Sequence, residues 1–277
     1  MIRENAYAKI NLALDVSETL VEGFHSVKNL MVPLEFCDKL TLEKNDSDIV
    51  LLDNTQIKMT DNLIYKAAKL FIETYKIKSG VLITLEKNIP EEAGLAGGSA
   101  DAAATLRGLN LLFETNLELN ELAPLAEKLG SDVPYCLYNA PAMCTGRGTD
   151  IELVNALYPH WDVLLVKPPF GCSTKEIYQN YKKIEQNQDE KLLKIFKALK
   201  TGDFNLLMTN IFNDLEHTAY ALKPELKEIA DKLAKTSFTM MTGSGSTLVV
   251  FSKKREVLDA LCQSLPDYFT KIITKLK

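Results

Sequence analysis

Ile89-Pro90-Glu91-Glu92-Ala93-Gly94-Leu95-Ala96-Gly97-Gly98-Ser99-Ala100-Asp101-Ala102-Ala103-Ala104 is the stretch from which the rest of the chain is read. Before it, Val81, Ile83, Leu85 and Ile89 fall on one face of a period-two pattern, which predicts a half-buried strand. After it the period changes. Ala102, Ala103, Leu106, Leu109, Leu112 and Phe113 recur at three-to-four spacing, an amphipathic helix with Ser99 or Asp101 as its cap. Gly94, Gly97 and Gly98 let the connecting backbone adopt positive φ and leave no side chain between its N–H groups and a ligand. A helix N-terminus adds unpaired donors and roughly half a positive charge, so this segment can wrap a phosphate. It also reads as a glycine turn that seats a helix closely on a sheet. Neither G-x-x-x-x-G-K-[ST] nor G-x-G-x-x-G is present, so neither the P-loop nor the Rossmann fingerprint accounts for it.

The 277 residues are 46% apolar, enough for a substantial core and for two domains. No run approaches the length of a membrane span, and Met1-Ile2-Arg3-Glu4-Asn5 has no apolar signal core behind it, so the expected address is the cytoplasm. Five widely spaced cysteines without a C-x-x-C pair read as reduced core thiols. His25, His160 and His217 lack the short spacings of zinc sites, so any metal is expected to arrive with a nucleotide. The net charge of −5 and the absence of a basic stripe argue against nucleic acid as a partner. A phosphorylated small molecule needs only a few local cations.

From Ala8 to Val16 the chain alternates, with Ile10, Leu12, Leu14 and Val16 on one face and Lys9, Asn11, Ala13 and Asp15 on a polar one. Further strands are predicted at Lys39 to Glu43, Ile49 to Leu51, Trp161 to Val166, Phe238 to Met241, Thr247 to Phe251 and Lys271 to Thr274. Asp61-Asn62 caps a helix striped by Leu63, Ile64, Ala67, Ala68, Phe71 and Tyr75. A second helix starts near Asn120 and stops at Gly130, and others run through Leu226 to Leu233 and Val257 to Leu261. Asp132 before Val133-Pro134 reads as an N-cap. Gly146-Arg147-Gly148 reads as the turn that closes a first domain, Asn180 to Lys200 as exposed helix and mobile loop, and Thr242-Gly243-Ser244-Gly245-Ser246 as a glycine turn between two strands.

Three of these stretches, in this order, resemble the three motifs of the galactokinase, homoserine kinase, mevalonate kinase and phosphomevalonate kinase superfamily: Ala8-Lys9-Ile10-Asn11-Leu12, Pro90 to Ala104, and Thr242 to Ser246. Within it the chain is most similar to the branch whose substrate carries a cytidine diphosphate on a methylerythritol. The resemblance implies ATP with Mg²⁺ as cofactors, the phosphates being cradled by Pro90, Glu91, Glu92, Ala93, Gly94, Leu95, Ala96, Gly97, Gly98, Ser99 and Ala100, and Ser99 reaching the ATP-bound magnesium. Asn62 and Lys87 match positions near the adenine, and read without the resemblance they are a helix cap and a strand-end charge. Gly130-Ser131-Asp132-Val133-Pro134 matches the stretch that holds the catalytic carboxylate, Asp132, and Lys9 is the active-site lysine that lowers the pKa of the attacking hydroxyl and keeps Asp132 ionised. Substrate contacts fall on Asn11, on Phe24 and His25 for the cytosine, on Thr174 and Tyr178 after the Pro168-Pro169 turn, and on Gly243, Ser244 and Gly245. Asn213-Asp214-Leu215-Glu216 matches as well, without a role that spacing can supply.

The implied fold is α+β with two domains, residues 1–155 for ATP binding and catalysis and residues 156–277 closing on substrate. The first is of the ribosomal-protein-S5-domain-2 type and the second ferredoxin-like. The implied reaction is ATP-dependent phosphorylation of the 2-hydroxyl of the cytidyl substrate, in non-mevalonate isoprenoid precursor synthesis. Two other readings are a kinase of the same superfamily for a mevalonate-type alcohol and a non-catalytic ligand sensor. Lys9 and Asp132 argue against the sensor, and Phe24-His25 against an alcohol without cytosine. The chain departs from the superfamily pattern at Ala96 and Ala100, commonly glycine and serine, at Phe24, commonly tyrosine, and in the Ser17-Glu18-Thr19-Leu20-Val21 turn.

Overall fold

The computed structural model describes residues 1–277 except 22, 54, 56, 155–160 and 185–187. The first residue of Glu22-Gly23-Phe24-His25, the division at 155 and 156, His160, and the centre of the 180–200 segment lie outside the described residues. These divide into two compact units, each discontinuous in sequence: Met1–Ala8, Phe36–Glu91 and Ala96–Asn139 form one, and Lys9–Glu35, Glu92–Leu95 and Ala140–Lys277 the other. Two long strands, β1 (Ile2–Val21) and β2 (Phe24–Asn45), contribute residues to both.

In the first unit β3 (Ile49–Leu52) lies parallel to β4 (Gly80–Glu86), which pairs antiparallel with β2 so that Lys39 faces Glu86 and Asn45 faces Gly80. Val81, Ile83, Leu85 and Ile89 are all buried, as the period-two pattern requires. Four helices complete this unit: α1 (Leu63–Tyr75), α2 (Gly97–Leu112), α3 (Leu119–Leu129) and α4 (Val133–Tyr138). The α1 stripe of Ile64, Ala67, Ala68 and Phe71 is buried, and a full Ile or Phe side chain removed from water stabilises by about 1.5–3 kcal/mol. On α2 burial extends round the helix from Ala100 to Leu109, so its small residues let neighbouring elements approach on several sides. The α3 helix ends at Gly130 as expected, and Glu118 and Glu121 close its start with a capping box.

The second unit holds β5 (Ala142–Thr145), β6 (Asp150–Leu153), β7 (Asp162–Lys167), β8 (Phe212–Asn213), β9 (Phe238–Met241), β10 (Leu248–Phe251) and β11 (Thr270–Lys275). Gly146-Arg147-Gly148 is the turn of the β5–β6 hairpin rather than a domain closure, with Gly146 and Gly148 at φ 65° and 91°. The β8 pair adds to β1 in parallel, Ala13 beside Phe212. An antiparallel sheet runs in the order β11-β7-β10-β9. Helices α5 (Thr174–Asn180), α6 (Asp189–Thr201), α7 (Phe204–Met208), α8 (Glu216–Leu222), α9 (Pro224–Ala234) and α10 (Arg255–Ser264) belong to the same unit. Leu164, Val166, Ile177, Leu215, Leu226, Leu233, Leu248, Val250 and Leu258 form its core together with Leu14 and Val16 of β1.

The alternation of β1 is correct, but its polar face is not solvated: Lys9, Asn11 and Ala13 are as buried as Ile10, Leu12 and Leu14. Cys136, Cys144 and Cys172 are buried, whereas Cys37 and Cys262 are half-buried. No helix among the described residues is long and apolar enough to cross a membrane.

Candidate active site

The glycine loop leaves β4 and ends where α2 begins. Helix α2 starts at Gly97, earlier than a cap at Ser99 or Asp101 would place it. The N-cap residue is Ala96, at φ 57° and ψ 29° with no side-chain cap hydrogen bond. A side chain in this left-handed region costs about 1–2 kcal/mol, which a glycine at 96 would avoid. Ser99 is therefore a half-buried hydroxyl in the first turn, where helical N–H groups have no intrahelical acceptor. Gly98 is exposed beside it, and a Cβ there would meet only Leu63 Cδ1, at 3.6 Å. Gly97 is tighter: a Cβ would lie 2.9 Å from Ile89 Cγ2 and 3.0 Å from Lys87 Nζ.

Lys87, at the strand end that feeds the loop, is held between two buried carboxylates. Its Nζ donates to Asp38 Oδ2 at 2.5 Å and to Asp101 Oδ2 at 2.7 Å. The other oxygen of Asp38 accepts the backbone N–H groups of Asn88 at 2.5 Å and Ile89 at 2.7 Å. Burial alone would lower the pKa of Lys87, but the charges of Asp101 and Asp38 raise it above its usual value. Burial, reinforced by Asp38, pushes Asp101 up to about 8 against the pull of Lys87.

Asn62 is the N-cap of α1: its Oδ1 accepts from Ile64 N–H at 2.9 Å and its Nδ2 donates to Asp53 Oδ2 at 3.0 Å. Asp132 occupies the N-cap position of α4, half-buried, but makes no side-chain cap hydrogen bond. That helix is held by other groups. Arg107 of α2 donates to the carbonyl oxygen of Cys136 at 2.8 Å and pairs with Glu4 at 2.9 Å. The carboxylate of Asp132 is thus not spent on starting the helix.

In the second unit the Lys9 strand, the start of the glycine loop and the Thr242–Ser246 turn meet in one buried network. Lys9 Nζ donates to Asn11 Oδ1 at 2.8 Å and to the Gly94 carbonyl at 3.0 Å, and Lys9 N–H donates to the Leu95 carbonyl at 3.1 Å. Asn11 donates through Nδ2 to Asn29 Oδ1 at 2.7 Å and through its backbone to Thr242 Oγ1 at 3.1 Å, while Thr242 Oγ1 donates to Asn11 Oδ1 at 3.0 Å. Gly94 and Gly243 face each other, both at positive φ. A Cβ on Gly94 would collide with the Thr242 carbonyl, and one on Gly243 would lie 3.0 Å from Gly94 O and 3.3 Å from Lys9 Nζ. Only backbone fits between these segments. Thr174 and Ser244 share a hydrogen bond of 2.8 Å, which joins two more of the predicted residues.

The aromatic predictions also gather in this unit. His25 lies 5.8 Å from the ring of Tyr178 and 5.7 Å from that of Tyr181. His25 Nδ1 is 2.7 Å from the Ser17 carbonyl oxygen, which can only accept, so Nδ1 carries a proton and in that tautomer Nε2 is the acceptor. Phe24 is about half exposed, with the Arg147 guanidinium 4.1 Å from its ring centre. One face of that ring is therefore occupied by a cation.

Several residues that the spacing could not single out hold these parts in place. Asn213 Nδ2 donates to the carbonyls of Met241 and Gly243, at 2.9 and 2.8 Å, which anchors the Thr242–Ser246 turn. Asp214 Oδ2 accepts from Val16 N–H and Tyr181 Oη, both at 3.1 Å, and from Lys183, which also bonds Asp15. Burial and the Asp214 charge push the Tyr181 phenol up. Asn213 and Asp214 are two of the four residues matched earlier without a role, and they tie the ends of other elements together. Among the described residues there is no group of three or more His, Cys, Asp or Glu that could hold a metal ion.

Family profiles described as the GHMP kinases N terminal domain and the GHMP kinases C terminal match residues 62–140 and 195–271. A 4-diphosphocytidyl-2-C-methyl-D-erythritol kinase of Macrococcus caseolyticus is 40% identical over 270 residues, 96% of this chain and 95% of that one. A crystal structure of a 4-(cytidine 5'-diphospho)-2C-methyl-D-erythritol kinase superposes with a TM-score of 0.83 at 29% identity, covering 99% of each chain. A homoserine kinase from Cytophaga hutchinsonii, at 17% identity and a TM-score of 0.74 over 99% of this chain and 94% of that one, shares the fold. The chain belongs to the GHMP kinases, an α+β fold, and is an ATP-dependent small-molecule kinase.

Proposed function

We propose that this kinase transfers the γ-phosphoryl group of ATP to the 2-hydroxyl of 4-diphosphocytidyl-2-C-methyl-D-erythritol, giving the 2-phosphate and ADP in non-mevalonate isoprenoid precursor synthesis. The observation that carries the reading is the 40% identity, over nearly the whole chain, to a kinase named for that substrate. The His25, Tyr178 and Tyr181 cluster supports it, because cytosine offers flat faces to aromatic rings and an amino donor to Nε2. Likeness to mevalonate and homoserine kinases lies under 25% identity and speaks for the fold alone. The cytoplasm is the compartment in which ATP and a diphosphate substrate meet.

Phosphoryl transfer calls for alignment and charge neutralisation more than covalent help from the protein. In this reading Asp132 accepts the proton of the 2-hydroxyl as its oxygen bonds phosphorus, and the bond to the ADP oxygen breaks with its electron pair. Lys9 lowers the pKa of the attacking hydroxyl. The backbone from Pro90 to Ala100 cradles the phosphates, and Mg²⁺ enters with ATP as part of that substrate. The Ser99 hydroxyl, a hard oxygen donor at the helix start, fits an ion of this kind. Asn11, Thr174, Gly243, Ser244 and Gly245 line the substrate side.

His25 provides the test. Replacing it with alanine should raise KM for the cytidyl substrate while leaving that for ATP nearly unchanged, since a lost buried hydrogen bond costs on the order of 1–3 kcal/mol. Saturation curves in each substrate separate the outcomes. Equal losses in both would make His25 a structural residue and remove it from cytosine recognition.

A further inference from the structure

We infer that Asp38, Lys87 and Asp101 form a buried clamp that joins the two ends of the glycine loop and sets its phosphate-binding shape, which makes them positioning residues for ATP. The inference rests on the reading that this loop holds the phosphates.

The chain enters the loop just after Lys87 and leaves it through the first turns of α2, where Asp101 sits. The ammonium of Lys87 spans these two places, 2.7 Å from Asp101 on the helix and 2.5 Å from Asp38 on β2. Asp38 in turn fixes the direction of the next two peptide N–H groups, Asn88 and Ile89. The sheet, the start of the loop and the helix that ends it are thus tied at one point. Gly97, the first residue of α2, lies against Ile89 and Lys87 with no room for a Cβ. The Asp38 side chain is fully buried, and those of Asp101 and Lys87 are 5% and 12% exposed.

Ionisable groups are costly to bury unless each is paired, so three of them together at a loop whose glycines impose no shape of their own call for a structural purpose. A loop free to sample many conformations binds with an ordering cost, and one fixed beforehand does not. The clamp lowers that cost for the phosphates. It acts through backbone placement, so it should matter for a nucleotide in proportion to its phosphates and not for the nucleoside.

The experiment measures the affinity of the full-length protein for ATP and for adenosine by calorimetry, alongside melting curves. Asp101→Ala cuts the tie to the helix while leaving Lys87 paired with Asp38, so no charge is stranded. ATP affinity should fall about tenfold or more and adenosine affinity should stay within twofold. Asp101→Asn keeps an acceptor for Lys87 and should restore ATP affinity to within about threefold of the parent. Asp101→Ser, also too short to reach Lys87, serves if the alanine variant does not fold. Unchanged ATP affinity in a folded alanine or serine variant, or equal losses for ATP and adenosine, would overturn the clamp. Gly98→Val reports on the loop itself, because a side chain fits there but covers the first-turn N–H groups. If that variant keeps full ATP affinity the phosphates bind elsewhere, and the clamp loses its role with the loop. If it weakens ATP while Asp101→Ala does not, the loop reading stands and the clamp alone fails.

Discussion

Asp132→Asn is expected to lower turnover by about 10²-fold or more, the usual scale for a lost general base, with ATP affinity retained. The amide keeps the shape of the carboxylate but cannot accept the proton of the attacking hydroxyl. The side chain makes no cap hydrogen bond, and α4 is secured by Arg107 on the Cys136 carbonyl and by proline in its first turn. Because asparagine is isosteric with the carboxylate, the melting temperature should stay near that of the parent. Turnover close to normal in the folded variant would remove Asp132 from the chemistry.

Lys9→Met is expected to cost a similar factor, about 10²–10³ in turnover, because it removes a fixed positive charge from beside developing negative charge. Methionine fills the volume of the lysine stem, and the site is 97% buried, so packing is preserved. The bonds from Asn11 to Asn29 and Thr242 remain after the ammonium is gone. What is lost is the charge and two donors, to Asn11 Oδ1 and to the Gly94 carbonyl. Single-turnover rates separate a loss in chemistry from a loss in binding. A variant that binds ATP poorly but turns over at the parental rate when saturated would make Lys9 a support for the loop instead.

The parts of the site that were legible in sequence are those whose signals are local. Periodicity placed β4 and α1, the cap at Asn62 formed as read, and the glycine loop lies between a strand and a helix as expected. Long-range pairing was not legible. Asp101 looks like a cap because it stands near a helix start, yet its partner Lys87 is fourteen positions away and Asp38 sixty-three, on another strand. Asn29 gave no signal for the same reason, since it acts by filling a hydrogen bond of Asn11, and the same bond from Thr242 could not be read from its place in the glycine turn. Burial of the polar face of β1 could not be read from alternation, which describes one sheet face and says nothing of what covers the other. Asp132 illustrates the converse: a residue in a cap position whose side chain does not cap.

The substrate reading is tested most directly by ADP release from the purified protein with ATP and Mg²⁺, offered 4-diphosphocytidyl-2-C-methyl-D-erythritol, mevalonate or homoserine in parallel. The expected result is release dependent on the cytidyl compound alone, with the new phosphate on its 2-hydroxyl by phosphorus NMR. Faster release with mevalonate or homoserine, or none with the cytidyl compound, would contradict it.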